Sequence, residues 1–504
     1  MTGLPVPDYV RLHAVGQPHR RACVELATGR SWTYAELDAD IARCVAVMRT
    51  HGVGRGDRIA VLSRNSVWLL VLQQALMRLG AIFVPLNWRL AAAEIDLLIA
   101  DCDPLLLVTD QACAQLAETC AGGSALLTLD QLAAAIESAE PDRSEPPVDS
   151  DAPSIILYTS GTSGRPKGVI VTERNAFFTA SNFSVLGRVS NRSTFLCDSP
   201  KFHVIGLLTS FRPGLMQGGT MLVSPGFDPA LTFARLADPA LGITHYFCVP
   251  QMAKMLRRVP GFDPGRLRGL TALFTGGAPN PPQDIRTWLA EGVTMADGYG
   301  STEAGTVLGM PPEPEVIAVK AGSAGLPAPT LALRIVDGAG TKIGDDAVGE
   351  LQIYGPNVTP GYWRRPEETA AAFTADGWFR TGDLARRDGD GFFTLVDRLK
   401  DMFISGGENI YPAEIEQVLL DHPAIAEVAV IGVPDPQWGE VGHAYVVTKA
   451  EAAGLAADLA AHCSMRLARY KIPKSFVQID ALPRTGSGKV MKQQLRGVAL
   501  AQRD

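Results

Sequence analysis

Residues 154–172 read SIILYTSGTSGRPKGVIVT. Ser154 to Tyr158 has the length and apolar content of a buried strand. Glycines, hydroxyl residues and the bases Arg165 and Lys167 then crowd between Thr159 and Gly168. Such a loop presents backbone N–H groups, hydroxyls and an ammonium to a polyphosphate, although a Gly/Ser loop taken alone is equally a plain connector. No Gly-Lys-Ser/Thr opens a helix, so this is not a Walker loop. Pro166 and the apolar run that follows predict that the chain returns as a strand.

The surroundings share an alternating rhythm. TYAELDADIARCVAVMRTHG (residues 33–52) has a helical period, and DRIAVLS (57–63), AIFVPL (81–86) and PLLLVTD (104–110) are short apolar runs bounded by Gly, Pro or Asp. Parallel α/β layers are predicted. The acidic, proline-rich stretch 137–153 predicts an exposed connection, with a new structural unit starting near Pro153. A second α/β run covers about 154–320. LALRIVD (331–337), GELQIYG (349–355) and DGFFTLVD (390–397) then read as antiparallel strands. From about Arg398, helical AEIEQVLLDHP (413–423) and ADLAAHCSMRLA (457–468) flank the strands AEVAVIGV (426–433) and GHAYVV (442–447), predicting a separate α+β domain.

Composition narrows the function classes. Of 504 residues 46% are hydrophobic, enough for more than one core. Forty-six Lys+Arg against 53 Asp+Glu give a net charge of −7, which offers no global attraction to nucleic acid or an anionic membrane. The opening MTGLPVPDYVRLHAVG lacks a basic start followed by an apolar block, so no secretory signal is expected. SVWLLVLQQALMRLGAIFVPL (66–86) is interrupted by Gln73, Gln74 and Arg78 and reads as a core helix and strand rather than a membrane span. Eight cysteines without a CxxC pair suggest neither a zinc site nor a disulfide framework, and a cytoplasmic location is expected.

YTSGTSGRPKG resembles the signature loop of the adenylate-forming superfamily, which includes acyl-CoA synthetases, luciferases and peptide-synthetase adenylation domains. GGAP (276–279), GYGSTE (298–303), FRTGD (379–383), DRLKDMFISGGENIYPAEIE (397–416) and PRTGSGK (483–489) follow in that family's order. The resemblance spans nearly the whole chain. It implies an α/β fold with a large N-terminal domain (1–397) of two α/β subdomains plus a small β-barrel-like element, and a small mobile C-terminal α+β domain (398–504). It also implies activation of a small carboxylic acid by ATP with Mg²⁺, then transfer to coenzyme A. The alternatives are transfer to a carrier protein, an amine or another nucleophile, or a catalytically silent homologue that binds nucleotide or acid.

By the same resemblance, Thr159, Ser160, Gly161, Thr162, Ser163, Gly164 and Lys167 hold the phosphates. Gly277 and Ala278 form a wall beside adenine, Tyr299 stacks on it, Gly300 lies next to it, Thr302 touches the α-phosphate and Glu303, with Thr159, binds Mg²⁺. Asp383 suits a ribose diol that Arg398 approaches; an ordinary surface salt bridge is the other reading. Lys489 is the catalytic ammonium brought in by the small domain, and Lys400 is the hinge on which that domain turns. Gly406 and Gly407 leave room for the pantetheine arm.

His203, in KFHVIGL (201–207), resembles the residue that closes the site near the carboxylate; a satisfied structural histidine is the alternative. Lys201 departs from the apolar residue common there, and either pairs with a second polar group on the substrate or, as the preferred expectation, faces solvent. Phe183, Tyr246, Gly300 and Met310 are candidate pocket walls, with a core role open for Phe183 and Met310. Arg89, Trp438, Tyr470 and Lys474 suit coenzyme A, each equally an ordinary surface or packing residue. A homodimer is the family's common habit.

Overall fold

The structure is a computed structural model that describes residues 6–144, 148–159, 166–278, 280–405, 408–449, 455–484 and 490–501. Contacts divide the chain into two compact units, one of Met1–Leu333 with Ile353–Phe379, the other of Arg334–Gln352 with Arg380–Asp504.

The larger unit is built on two sheets. One has six strands in the order Ala125–Thr128, Leu106–Thr109, Arg58–Leu62, Ile82–Pro85, Pro153–Thr159, Lys167–Thr172. Its neighbours run parallel except the last pair, an antiparallel hairpin whose register closes at Thr159 opposite Lys167. The expected return strand is therefore present. The expected break at Pro153 is not, because Ile155 pairs with Phe83 and the hairpin joins the sheet laid down before the acidic connection. Strand pairing is non-local, and an exposed linker says nothing about which edge the next strand takes.

The second sheet has nine strands, ordered Leu326–Pro327, Gly305–Gly309, Met295–Ser301, Ala272–Thr275, His245–Cys248, Thr194–Cys197, Thr220–Val223, Arg21–Glu25, Ser31–Thr33. The run from Met295–Ser301 to Arg21–Glu25 is parallel, with an antiparallel strand at either side. Its members carry the continuous apolar character of strands buried on both faces; Thr194–Cys197, Thr220–Val223 and Ala272–Thr275 are almost wholly buried. Val67–Leu79 is the expected core helix, and among the described residues no helix is long and apolar enough to cross a membrane. All eight cysteines are buried and free.

The three strands predicted after residue 330 appear as Ala332–Val336, Gly349–Tyr354 and Phe393–Arg398, and together with Phe379–Arg387, which was not predicted, they form one sheet, most of whose residues belong to the smaller unit. A second sheet pairs Ile425–Asp435 with Gly439–Thr448. Strand alternation sorts their side chains into two cores. Val428, Val430, Ala444 and Val446 pack with the helices Pro412–Leu420 and Leu455–Ser464, while Ala429, Ile431, Val433 and Tyr445 pack with Leu495 and Ala499 of the last helix.

Candidate active site

Parallel α/β sheets place ligands beyond the carboxyl ends of their strands. There the larger unit gathers one group of the sequence-predicted residues. Cys197 leads into Asp198 to His203, Thr275 into Gly276 to Ala278, and Met295–Ser301 into Thr302 and Glu303, on strands adjacent or nearly so.

Close backbone approach explains the glycines. A Cβ on Gly276 would lie 3.1 Å from the Gly298 carbonyl, tying GGAP to GYGSTE. One on Gly300 would meet the Gly305 carbonyl at 2.1 Å, so only glycine closes the hairpin that follows Tyr299. Gly277 has φ +82°, and it and Ala278 are exposed. Tyr299, Thr302 and Glu303 are half-buried.

A strap, residues 355–363, joins this hairpin to the other one. Asn357 donates to the Ala304 and Thr306 carbonyls, and the Thr359 N–H donates to the Glu303 carbonyl at 2.6 Å. On the far side, Thr359 Oγ1 donates to the Ile170 carbonyl at 2.6 Å and the Trp363 N–H to Gly168 at 2.7 Å. Tyr362 stands between. Its hydroxyl donates to Glu303 Oε1 at 3.2 Å, and its ring centre lies 5.2 Å from Lys167 Nζ. Burial pushes that hydroxyl's pKa up, so it stays a donor at neutral pH. Thr159 Oγ1 donates to the Lys167 carbonyl at 3.4 Å, pinching the loop's base. Ser160, Gly161, Thr162, Ser163 and Gly164 lie outside the described residues.

Among the described residues no three His, Cys, Asp or Glu side chains stand together as a protein-only metal cage. One half-buried carboxylate, Glu303, with a hydroxyl, Thr159, is the donor set that Mg²⁺ takes when phosphates and waters complete its shell. The residues fit the ion.

The surroundings of Lys201 and His203 have a different character. Lys201 is 4% exposed, so the expectation that it faces solvent is corrected. Its Nζ donates to the Gly206 carbonyl at 2.8 Å and lies 4.0 Å from the centre of the Phe211 ring. The carbonyl and the π-face make burial tolerable, and burial holds its pKa below the usual lysine value. Asp198 is also buried. Its Oδ2 accepts from Thr232 at 2.8 Å and Tyr246 at 3.1 Å, Oδ1 has no partner among the described residues, and burial pushes the carboxyl to about 6.

His203 Nε2 likewise has no described partner, and burial followed by the Arg89 charge lowers the imidazole to about 4; it is neutral at pH 7. Arg89 lies over the rings of Trp88 and Phe202, at 5.0 and 5.9 Å. Tyr246 is wholly buried, Met310 is buried, and Phe183 packs 5.1 Å from Phe274 and 5.8 Å from Phe247.

In the smaller unit Asp383 and Arg398 face each other across paired strands, Nε to Oδ1 at 3.2 Å. Lys400 lies in an exposed turn just beyond. Trp438 and Lys474 meet at Asp435, through a backbone N–H at 3.0 Å and an ammonium at 3.0 Å, and Tyr470 is exposed in a separate turn. Gly406, Gly407 and Lys489 lie outside the described residues. Sequence reasoning missed Tyr362, Asp198 and the strap; the only signal was the aromatic pair in NVTPGYWRRP, a polar loop with no chemistry of its own.

The chain matches the family of AMP-binding enzymes over residues 10–363 and the AMP-binding enzyme C-terminal domain over residues 414–489. It is 40% identical over 470 residues to a feruloyl-CoA synthase of Amycolatopsis sp, covering 93% of this chain and 94% of the other. It is 37% identical over 500 residues to the long-chain-fatty-acid–CoA ligase FadD13 of Mycobacterium tuberculosis, 97% of each. Among solved structures, ATP-bound MatB from Rhodopseudomonas palustris has a TM-score of 0.91 at 31% identity, with 98% of this chain and 99% of that one covered. O-succinylbenzoate coenzyme A synthetase (MenE) from Bacillus subtilis, in complex with ATP and magnesium ion, has a TM-score of 0.87 at 31% identity over 98% and 100%. This chain therefore belongs to the family of AMP-binding enzymes, the adenylate-forming enzymes whose motifs its sequence carries.

Proposed function

We infer that the protein is an ATP-dependent, AMP-forming acid:CoA ligase. The acid's carboxylate attacks the α-phosphorus of ATP, the bond to the bridging oxygen breaks and pyrophosphate leaves. The sulfur of coenzyme A, having lost its proton, then attacks the acyl carbonyl, and AMP departs. The observation that carries this reading is the meeting of Gly277–Ala278, Tyr299–Glu303 and the Thr159/Lys167 hairpin beyond the carboxyl ends of the strands, in a chain whose named relatives are CoA ligases.

In this reading Tyr299 covers adenine, Thr302 touches the α-phosphate, and Lys167 meets the polyphosphate. Glu303 and Thr159 hold Mg²⁺, which when bound neutralises phosphate charge. Asp383 takes the ribose diol beside Arg398. Lys489 stabilises charge at the carboxylate and α-phosphate as pyrophosphate leaves. Lys400 is the hinge for the second step, in which Gly406 and Gly407 pass the pantetheine arm and Arg89, Trp438, Tyr470 and Lys474 contact coenzyme A. His203 stands near the carboxylate, with Phe183, Lys201, Tyr246, Gly300 and Met310 around the acyl group. The eight buried, free thiols suit a cytoplasmic enzyme; a homodimer is the expected assembly, read by sedimentation.

Pyrophosphate release across hydroxycinnamic, arylacetic, fatty and dicarboxylic acids, with and without CoA, tests the function. Acid-dependent release with AMP as product, accelerated by CoA, is expected. Acceleration only by an amine or carrier protein would move the acceptor, and absence of ATP cleavage with every acid would refute the enzyme. Lys489→Ala should slow acid-dependent pyrophosphate exchange by roughly 10²–10³-fold while leaving conversion of a supplied acyl-adenylate to thioester. Equal loss of both steps would contradict the role of Lys489.

A further inference from the structure

The strap poses a question that the motifs do not. Its Tyr362, among the described residues, reaches both Glu303 and Lys167, the groups proposed above to hold the metal and the polyphosphate. We propose that Tyr362 is a positioning residue for the metal site: its hydroxyl fixes the Glu303 carboxylate and its ring braces the Lys167 ammonium, so that anion and cation are set before MgATP arrives. This rests on the reading of Glu303 as the metal ligand.

Four observations carry it. The hydroxyl donates to Oε1 at 3.2 Å, which orients the carboxylate plane and leaves Oε2 as the oxygen to turn toward a cation. The ring is 5.2 Å from Nζ, within cation–π range, which draws the lysine toward the same point. The backbone under Tyr362 is pinned on both sides: its N–H donates to Thr369 Oγ1 at 2.9 Å, and it bridges Val169 of the phosphate hairpin. Gly361, at φ +147°, sits where a Cβ would strike Thr369 Cγ2 at 2.4 Å, so the chain can make this turn only with glycine before the tyrosine. A residue wanted only for packing needs neither the hydroxyl contact nor such a fixed backbone.

A hydrogen bond that orients a ligating carboxylate is worth about 10–100-fold in metal affinity when removed. Tyr362→Phe keeps the ring over Lys167 and deletes only the hydroxyl. Mn²⁺ standing in for Mg²⁺ is titrated by electron paramagnetic resonance into full-length protein with a non-hydrolysable ATP analogue, alongside calorimetry of the analogue at saturating metal. In Tyr362→Phe the Mn²⁺ half-saturation point should rise about tenfold, with analogue binding at saturating metal and the unfolding midpoint nearly unchanged. Glu303→Gln should shift the metal titration at least as far, and Tyr362→Phe added to it should do nothing more.

An unmoved metal titration in Tyr362→Phe, beside a shifted one in Glu303→Gln, would overturn the positioning role and leave the metal reading intact. Unmoved titrations in both would sink the metal reading, and this inference with it. Additive shifts would show that Tyr362 acts other than through Glu303, which also overturns the proposal.

Discussion

The end of the larger unit proposed for the nucleotide and the corner proposed for the acid lie beyond the carboxyl ends of the same sheet, yet they are built by opposite means. The end proposed for the nucleotide is made of backbone: Gly276, Gly298 and Gly300 bring chain segments to contact distance, and Tyr299, Thr302 and Glu303 stand half-buried upon them. The corner proposed for the acid is made of side chains, the buried Lys201 and Asp198 and the half-buried His203, whose polar atoms are only partly matched by described neighbours. A polyphosphate is the same in every adenylating enzyme and can be met by fixed N–H groups and glycine turns. An acid varies, and a pocket for it is tuned by what is buried around it.

Three variants test that contrast. The largest effect belongs to Gly300→Ala, whose methyl would meet the Gly305 carbonyl at 2.1 Å. The hairpin must open, costing about 1–3 kcal/mol in a denaturant melt and lowering acid-dependent pyrophosphate exchange about a hundredfold if the cost falls on the nucleotide site. A variant with wild-type exchange would show that the backbone contact does not govern the nucleotide end.

Asp198→Asn probes the acyl corner through pH. The folded carboxyl sits at about 6, above its ordinary 3.8, so the folded protein binds this proton more tightly than the unfolded chain. Stability from this group is therefore largest at acid pH and falls as pH rises from about 4 to about 6, by something on the order of 2–3 kcal/mol. His203, lowered to about 4, works in the opposite direction. It is present in both proteins, so the difference between wild-type and variant urea melts isolates Asp198. A difference that stays flat between pH 4 and 7 would mean that the carboxyl is already paired or wet.

The smallest effect is expected from Lys201→Met, which keeps the stem and removes the ammonium. Because burial lowers its pKa, the unfolded chain holds the proton more tightly, and wild-type stability rises with pH between the folded value and the ordinary 10.5. The variant should match or exceed the wild type by about 1 kcal/mol at pH 7, with the margin closing at alkaline pH. A variant weaker by more than about 2 kcal/mol would show that the Gly206 carbonyl and the Phe211 face over-compensate the charge.

Much of this molecule was legible in the order of its residues. The strand–loop–strand at 154–172, the core helix Val67–Leu79, three strands after residue 330 and the strands and helices of the C-terminal domain follow from periodicity and from Gly/Pro punctuation, which are local. The small residues Gly277 and Ala278 were read as sites of close approach, whereas the backbone contacts that require glycine at Gly298 and Gly300 came only with the structure. Only the tertiary structure decided where the hairpin after the acidic connection would pair, that Lys201 is buried, and that residues 355–363 strap the 153–172 hairpin to the 295–309 hairpin. Each depends on contacts between residues far apart in the chain. Burial and the pairing of distant groups are properties of the folded surface, and no spacing along the sequence encodes them.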